Sequence, residues 1–384
     1  MTVSTTDTNN NLFKPLKVGQ VTLNQRIAMA PLTRVRAQVE GAVPTDLMTT
    51  YYEQRASSPG TLLITEATFI TERAGGYQGV PGIWSKEQID GWAKVAAAIH
   101  AKGSFGYVQL WALGRTAGPE YLQSRGYDLV SSSNVARPLG PKNKLIGTDT
   151  VGTVPRPLTV DEIHEYVRDY AQAAKNSIEA GFDGVEIHAA NGFLPHQFLH
   201  ENINKRTDEY GGSVENRARF TLEIVDAVSA AIGASRVGIR FSPYYVGSDL
   251  GAGPGTLELY AYLLKELEER GLADEANKRL AYIHTVEGAI EVHNSIGNPI
   301  LRRPLEFVRN VWTGGWIRAQ RFDRKLALEI ADVDDKVVIA FGKPFISNPD
   351  LVRRIKENLP WAEPDYETFY VPGAKGYTDY PFYS

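Results

Sequence analysis

There is no cysteine anywhere in the chain. That excludes disulfides, thiolate nucleophiles, and metal or iron–sulfur centres held by cysteine. No apolar run approaches the roughly 20 residues needed to cross a bilayer. The first eleven residues are polar and rich in Thr and Asn, with no cationic stretch leading into an apolar one, so no secretory leader is expected. An excess of positive charge is lacking too: 41 Lys and Arg stand against 45 Asp and Glu, a formal net charge of −4. Non-specific nucleic-acid binding needs a basic surface that displaces counterions, and this balance argues against it. It leaves room for a local cationic pocket that holds a phosphate. The absences together predict a soluble, cytoplasmic protein with no membrane and no nucleic-acid partner.

Nucleotide motifs are missing as well. No GxGxxG joins a strand to a helix, and there is no Walker loop. In Gly251-Ala-Gly253-Pro-Gly255, Pro254 removes an N–H that would face a phosphate, so a flexible loop is the reading. His196 and His200 stand four apart, as metal ligands on a helix do, but the Glu of HExxH is absent. Surface histidines are therefore expected there, and no metal.

What is present is ample core material, with 43% hydrophobic and 22% charged residues among 384. Such a length allows two or three ordinary domains, yet α/β barrels use as much chain as one unit. Short apolar runs at Arg26–Ala30, Thr61–Glu66, Ser104–Leu110, Gly184–His188, Val237–Phe241, Ala281–Val286, Gly315–Ala319 and Lys336–Phe341 read as strands. Between them, Lys86–Lys102, Val160–Ala180, Val214–Ile232, Leu257–Glu269 and Pro349–Glu357 read as amphipathic helices. Thr159 ahead of Asp161-Glu162, and Ser213 ahead of Glu215, are helix-start signals. Eight repeating strands with helices between them, and no composition break, predict an α/β fold, a (β/α)8 TIM barrel, as a single domain over residues 1–384. Ala112–Arg156 lacks helical periodicity and is rich in Gly, Pro and Ser. It reads as a loop insertion after the third strand, on the face where barrels keep their active sites. The Tyr- and Pro-rich tail, Pro360–Ser384, is expected to wrap a surface or a mouth.

The richest stretch for chemistry is Gly181-Phe-Asp-Gly-Val-Glu-Ile-His188-Ala-Ala-Asn191-Gly-Phe193. A β-run ends at His188 and a glycine-broken turn follows. His188 and Asn191, two side chains with N–H donors, thus fall at the C-terminal end of a barrel strand. Paired donors there suit a developing oxyanion, such as an enolate from an α,β-unsaturated carbonyl. Taken alone, the same pair reads more readily as a core histidine beside a turn-forming asparagine.

Beyond that pair, the run from Gly181 through Asn204-Lys-Arg206-Thr-Asp-Glu-Tyr-Gly-Gly-Ser-Val-Glu-Asn-Arg-Ala-Arg-Phe220 resembles the signature of the old yellow enzyme family. The resemblance covers nearly the whole chain. It includes Leu12-Phe-Lys-Pro-Leu, Met29-Ala-Pro-Leu-Thr33-Arg-Val-Arg-Ala, Thr61-Leu-Leu-Ile-Thr-Glu-Ala67-Thr, Val80-Pro-Gly-Ile-Trp-Ser85 and Val108-Gln109-Leu-Trp111. It continues in Arg240-Phe-Ser-Pro-Tyr244, Phe345-Ile-Ser-Asn-Pro-Asp350 and Gly376-Tyr-Thr-Asp-Tyr-Pro381, with a flavour of fungal secondary metabolism, ergot-alkaloid pathways included.

The resemblance implies FMN as cofactor and NADPH (or NADH) as hydride donor. Thr33 would hydrogen-bond the flavin O4 edge, beside Pro31 and Ala67, and Gln109 would hold the pyrimidine edge. Arg240 would stabilise the charge that reduction places on the ring. His188 and Asn191 would grip the carbonyl of a small-molecule enone or enal, with Trp111, Tyr77, Tyr245 and Tyr370 shaping the cavity. A monomer or a homodimer would fit equally.

Three departures from the family pattern stand out. Phe193 occupies the position of the usual tyrosine proton donor, and phenylalanine has no exchangeable proton. Water, Tyr245 or Tyr77 would have to replace it. Near the phosphate, Gln320-Arg321 replaces the usual Gly-Asn, and Gly342-Lys343 the usual Gly-Arg. Lysine keeps the charge but loses the bidentate fork, which Arg321 would restore if it turns inward. Ala67 stands where a glycine is common. The expected reaction is reduction of the activated C=C bond of α,β-unsaturated carbonyl compounds, with hydride from flavin N5. The alternatives are a redox-neutral flavin-dependent isomerase or desaturase, because of Phe193, and a non-catalytic ligand-binding barrel.

Overall fold

A computed structural model describes residues 9–138, 152–245, 255–272, 279–290, 301–303 and 305–384. Eight parallel strands form its centre: β1 (Ile27–Met29), β2 (Leu62–Ile64), β3 (Phe105–Trp111), β4 (Gly184–Ala189), β5 (Val237–Phe241), β6 (Tyr282–Val286), β7 (Trp316–Ala319) and β8 (Val337–Phe341). Each pairs with its sequence neighbour, and β8 pairs with β1, so the sheet closes into a barrel. All eight coincide with the runs expected from sequence, their ends differing by at most two residues.

Outside the barrel lie α1 (Asp46–Arg55), α2 (Lys86–Ala101), α3 (Val160–Glu179), α4 (Val214–Ile232), α5 (Thr256–Leu272), α6 (Arg324–Val333) and α7 (Leu351–Glu357). Local chemistry fixes their starts. Thr159 and Glu162 form a reciprocal capping box at α3, Ser85 and Gln88 do the same at α2, and Ser213 caps α4. Among the described residues, β6 and β7 are joined by an antiparallel pair, Gly288–Ile290 with Leu301–Arg303, and a 3-10 turn at Glu306–Val308. Gly251–Pro254 lies outside the described residues.

The inward side chains follow the two-residue period of each strand. Ala28 and Ala30, Leu62 and Ile64, Ile317 and Ala319, and Val338 and Ala340 make an apolar half from β7, β8, β1 and β2. The other half is polar: Gln109 of β3, Glu186 and His188 of β4, Arg240 of β5 and His284 of β6. Register places Gln109, Glu186, Gly238 and Tyr282 at one level. His188, Arg240 and His284 share the level two residues further on. Gly238 is required there, because a Cβ would stand 2.3 Å from the Tyr282 ring.

Within Ala112–Arg156, residues Pro119–Ser124 form a short helix and Val130–Ser131 pairs with Arg156–Pro157. The tail packs against the segment that follows β1. Arg34 donates to the carbonyls of Phe369 and Gly376, and Arg36 to those of Thr368 and Phe369. Arg55 reaches the Tyr377 carbonyl and Arg354 that of Pro381.

Candidate active site

The C-terminal ends of the strands frame two adjoining regions. The first is a cavity of about 590 Å³ lined by Pro31, Arg240, Gln320, Arg321, Gly342 and Lys343, with Trp361 and Tyr366 closing one side. Its floor is three alanines, Ala30, Ala319 and Ala340, at the ends of the adjacent strands β1, β7 and β8. The small side chains leave the space open. Gln320 and Arg321, immediately after β7, have φ of +134° and +47°. Such angles favour glycine, so this chain accepts backbone strain where its resemblance has Gly-Asn. Lys343 holds its Nζ 4.9 Å from the centre of the Tyr366 ring. Arg240 extends into the cavity, and its Nε is buried without a hydrogen-bond partner. Burial lowers its pKa, partly offset by the Glu186 carboxylate. A large opening carrying guanidinium and ammonium groups, with one buried N–H unspent, fits a phosphorylated, flat, electron-accepting group such as FMN.

The second region is aromatic. Trp111, the last residue of β3, stacks on Phe69 at 5.1 Å and meets Tyr77 edge-on at 5.7 Å. Phe193 presents its edge to Trp111 at 4.7 Å and to the His188 ring at 4.8 Å. Ala67 is buried in this cluster rather than in the cavity. The Tyr77 hydroxyl donates to the Thr116 carbonyl at 2.6 Å. No hydroxyl stands at position 193 itself.

His188 lies one residue before the end of β4, buried, with no hydrogen-bond partner at Nδ1. Burial first, and then the positive charge of Arg240, hold its pKa well below the ordinary histidine value. It is therefore a neutral imidazole at neutral pH and offers a single N–H. Asn191 adopts φ +56° and Gly192 φ +85°, which turn the chain sharply after the strand. The turn is held from both sides. The Asn191 N–H donates to Ser242 Oγ at 2.8 Å, and the Gly192 N–H donates to His196 Nδ1 at 2.9 Å.

His196 and His200 correct one sequence expectation. Both are buried, not at the surface. His196 bridges the Gly192 N–H and the Tyr260 hydroxyl, which a helix packed under the turn requires. Tyr245, half-buried, lies on this side, its ring 6.5 Å from that of His196. Tyr370 is partly exposed on the tail and meets Phe369 edge-on at 6.2 Å. Thr33 is half-buried, one residue before the clamping Arg34. The structure thus gathers His188, Phe193, Trp111 and Tyr77 into one contact group, and gathers the expected phosphate residues around one cavity.

Sequence reasoning missed Glu186 and His284. Both are fully buried, His284 Nδ1 lies 2.7 Å from Glu186 Oε2, and Gln109 Nε2 donates to Glu186 Oε1 at 2.7 Å. The signal was available, since Glu186 precedes His188 by two in a strand and must share its face.

The profile of the NADH:flavin oxidoreductase / NADH oxidase family matches residues 11–362. Chanoclavine-I aldehyde reductase of Penicillium roqueforti is 46% identical over 377 residues, covering 97% of this chain and 96% of that one. Enoate reductase 1 of Kluyveromyces lactis is 44% identical over 387 residues, covering 98% and 94%. The crystal structure of Old Yellow Enzyme from Pichia sp. AKU4542 superposes with a TM-score of 0.87 at 37% identity, over 98% of this chain and 94% of that one.

Proposed function

Because the chain belongs to the NADH:flavin oxidoreductase / NADH oxidase family, we propose that it is an FMN-dependent, NAD(P)H-driven reductase of the activated C=C bond in α,β-unsaturated carbonyl compounds. FMN, once bound, supplies hydride chemistry from its N5 atom. Arg240, Gln320, Arg321, Gly342 and Lys343 would hold it from the cavity side, and Gln109 and Thr33 from the ring edge. The names of two relatives, one for an aldehyde and one for an enoate, support the conjugated carbonyl as substrate class. No helix among the described residues is long and apolar enough to cross a membrane, which is compatible with work in the cytosol on a small diffusing molecule.

The observation that carries the reading is a neutral His188 at the end of β4, followed within three residues by Asn191 on a braced turn. Two neutral N–H donors stabilise oxygen as it gains charge, without surrendering a proton to it. The proton for the substrate carbon has to come from elsewhere. Phe193 has none, and Tyr77 spends its own on the Thr116 carbonyl. Tyr245 and solvent remain. Burial raises the Tyr245 pKa, which keeps that hydroxyl protonated.

A second reading rests on Phe193, whose aromatic surroundings offer no acid in its place. With protonation slow, the substrate would leave rearranged at its original oxidation level, making the protein a redox-neutral isomerase; acting on a saturated substrate with the flavin as oxidant, the same site would make it a desaturase. The discriminating measurement is anaerobic. FMN-loaded protein is reduced with NADPH and mixed with cyclohexenone. Reoxidation with cyclohexanone in matching amount supports the reductase; flavin that stays reduced moves the isomerase ahead.

A further inference from the structure

The buried pair of Glu186 and His284 lies beneath both regions and takes no part in the steps above. Glu186 stands on β4 at the level of Gln109, and His284 on β6 at the level of Arg240. Glu186 accepts from Gln109 Nε2 and pairs with His284 Nδ1, each at 2.7 Å. Tyr282 and Tyr107 lie on the same inner face. Within this group His284 Nε2, Arg240 Nε and the Tyr107 hydroxyl have no partner.

We propose that Glu186 is a positioning residue for the cofactor, fixing the amide of Gln109 in one orientation, with His284 keeping Glu186 an acceptor. The inference rests on FMN being the bound group and on the polarity of the hydrogen bonds around Gln109. An ionised carboxylate only accepts, so the side of Gln109 that faces it is the NH2 side. Gln109 then offers one carbonyl oxygen and one remaining N–H. That edge complements the N–H and C=O edge of a pyrimidinedione such as the flavin ring. If residue 186 could donate, the amide could turn over and present N–H to N–H. Burial acts to raise the Glu186 pKa, but His284, Arg240 and Gln109 outweigh it and leave the carboxyl ionised. His284 is itself held below its ordinary value by burial, so it is neutral and donates from Nδ1. A neutral donor two strands away and a cation on the adjacent strand stabilise the carboxylate without cancelling its role as acceptor.

The test is a double-mutant cycle on FMN affinity, read by quenching of flavin fluorescence as FMN is added to cofactor-free protein. Glu186→Gln keeps the shape and lets residue 186 donate. It is expected to weaken FMN binding at least tenfold, about 1.4 kcal/mol. In a Gln109→Leu background the same change is expected to alter affinity less than threefold, because the amide it acts through is gone. Equal losses in both backgrounds, or a loss under threefold in the first, overturn the proposal. If Glu186→Gln is insoluble, His284→Leu replaces it in the same cycle. Without the imidazole donor Glu186 takes up a proton and becomes able to donate, so the same pattern is expected. A parent protein that takes up no FMN overturns the cofactor assignment itself, and this inference with it.

Discussion

Phe193 packs in T-shaped contact with both Trp111 and His188, where the aromatic cluster meets the site. Phe193→Tyr restores an acid there at the cost of one oxygen atom. The yield of saturated product per NADPH consumed is expected to rise several-fold, and an unchanged yield means position 193 does not limit protonation. A second residue, Glu66, is fully buried against Arg34 and Tyr52, and burial lifts its pKa to about 7. Its folded pKa thus exceeds its unfolded one, so its stabilising contribution is complete below about pH 4.5 and is lost as pH rises through about 7. Glu66→Gln removes that loss and still accepts from the Arg34 N–H. The variant is expected to gain roughly 3 kcal/mol over the parent in passing from pH 4.5 to pH 8, measured by urea unfolding at both pH values. A gap that does not widen with pH contradicts the assignment. Glu66 was invisible as a titrating group in sequence, because nothing in Ile-Thr-Glu-Ala says how deep the carboxyl sits.

At the scale of elements, the turn after β4 depends on two braces from outside its own segment. Ser242 follows β5 and His196 lies on the short helix Leu194–Leu199. Ser242→Ala leaves the Asn191 N–H without its acceptor while touching neither region of the site. The expected outcome is a loss of about tenfold in kcat/KM, the equivalent of about 1.4 kcal/mol, with FMN affinity unchanged in a fluorescence titration. Parallel losses in both would mean that the brace is general, not local to the turn. Elements with strong local chemistry were legible in advance. The capped starts of α3 and α4 were read from Thr159 and Ser213, and all eight strands from their apolar runs. Helix α1 was not, because Asp46–Arg55 mixes buried Tyr51, Tyr52 and even Arg55 with exposed Thr50 and half-buried Glu53 and Gln54, blurring any apolar stripe. Helix α6, only ten residues long, was likewise not among the expected helices. The turn's braces were illegible for another reason: they join residues 51 positions apart, or rest on a histidine whose burial the sequence hides.

For the whole molecule, the division of the barrel interior into a polar and an apolar half decides where a cofactor can sit. The alanine floor from β1, β7 and β8 is space preserved by small side chains, not by a gap in the backbone. Ala340→Val places two methyl groups into that space. FMN affinity is expected to fall at least tenfold, while the melting temperature of the cofactor-free protein moves by only a few degrees, since overpacking toward an open cavity has room to relax. A large drop in that temperature instead would mean that the floor is part of the core. The barrel itself was legible because its strands repeat. The cavity was legible in part, through the residues after β7 and in the β8 loop, whereas the contribution of Trp361 and Tyr366 depends on how the tail folds back.

That tail is held by its carbonyl oxygens, four arginines reaching main-chain atoms of Thr368, Phe369, Gly376, Tyr377 and Pro381. A grip of this kind reads the route of the chain and is blind to its letters. Side chains along the strap are free to drift through generations of descendants, so the rim of the barrel can be re-lettered for new guests while its seat stays where it is.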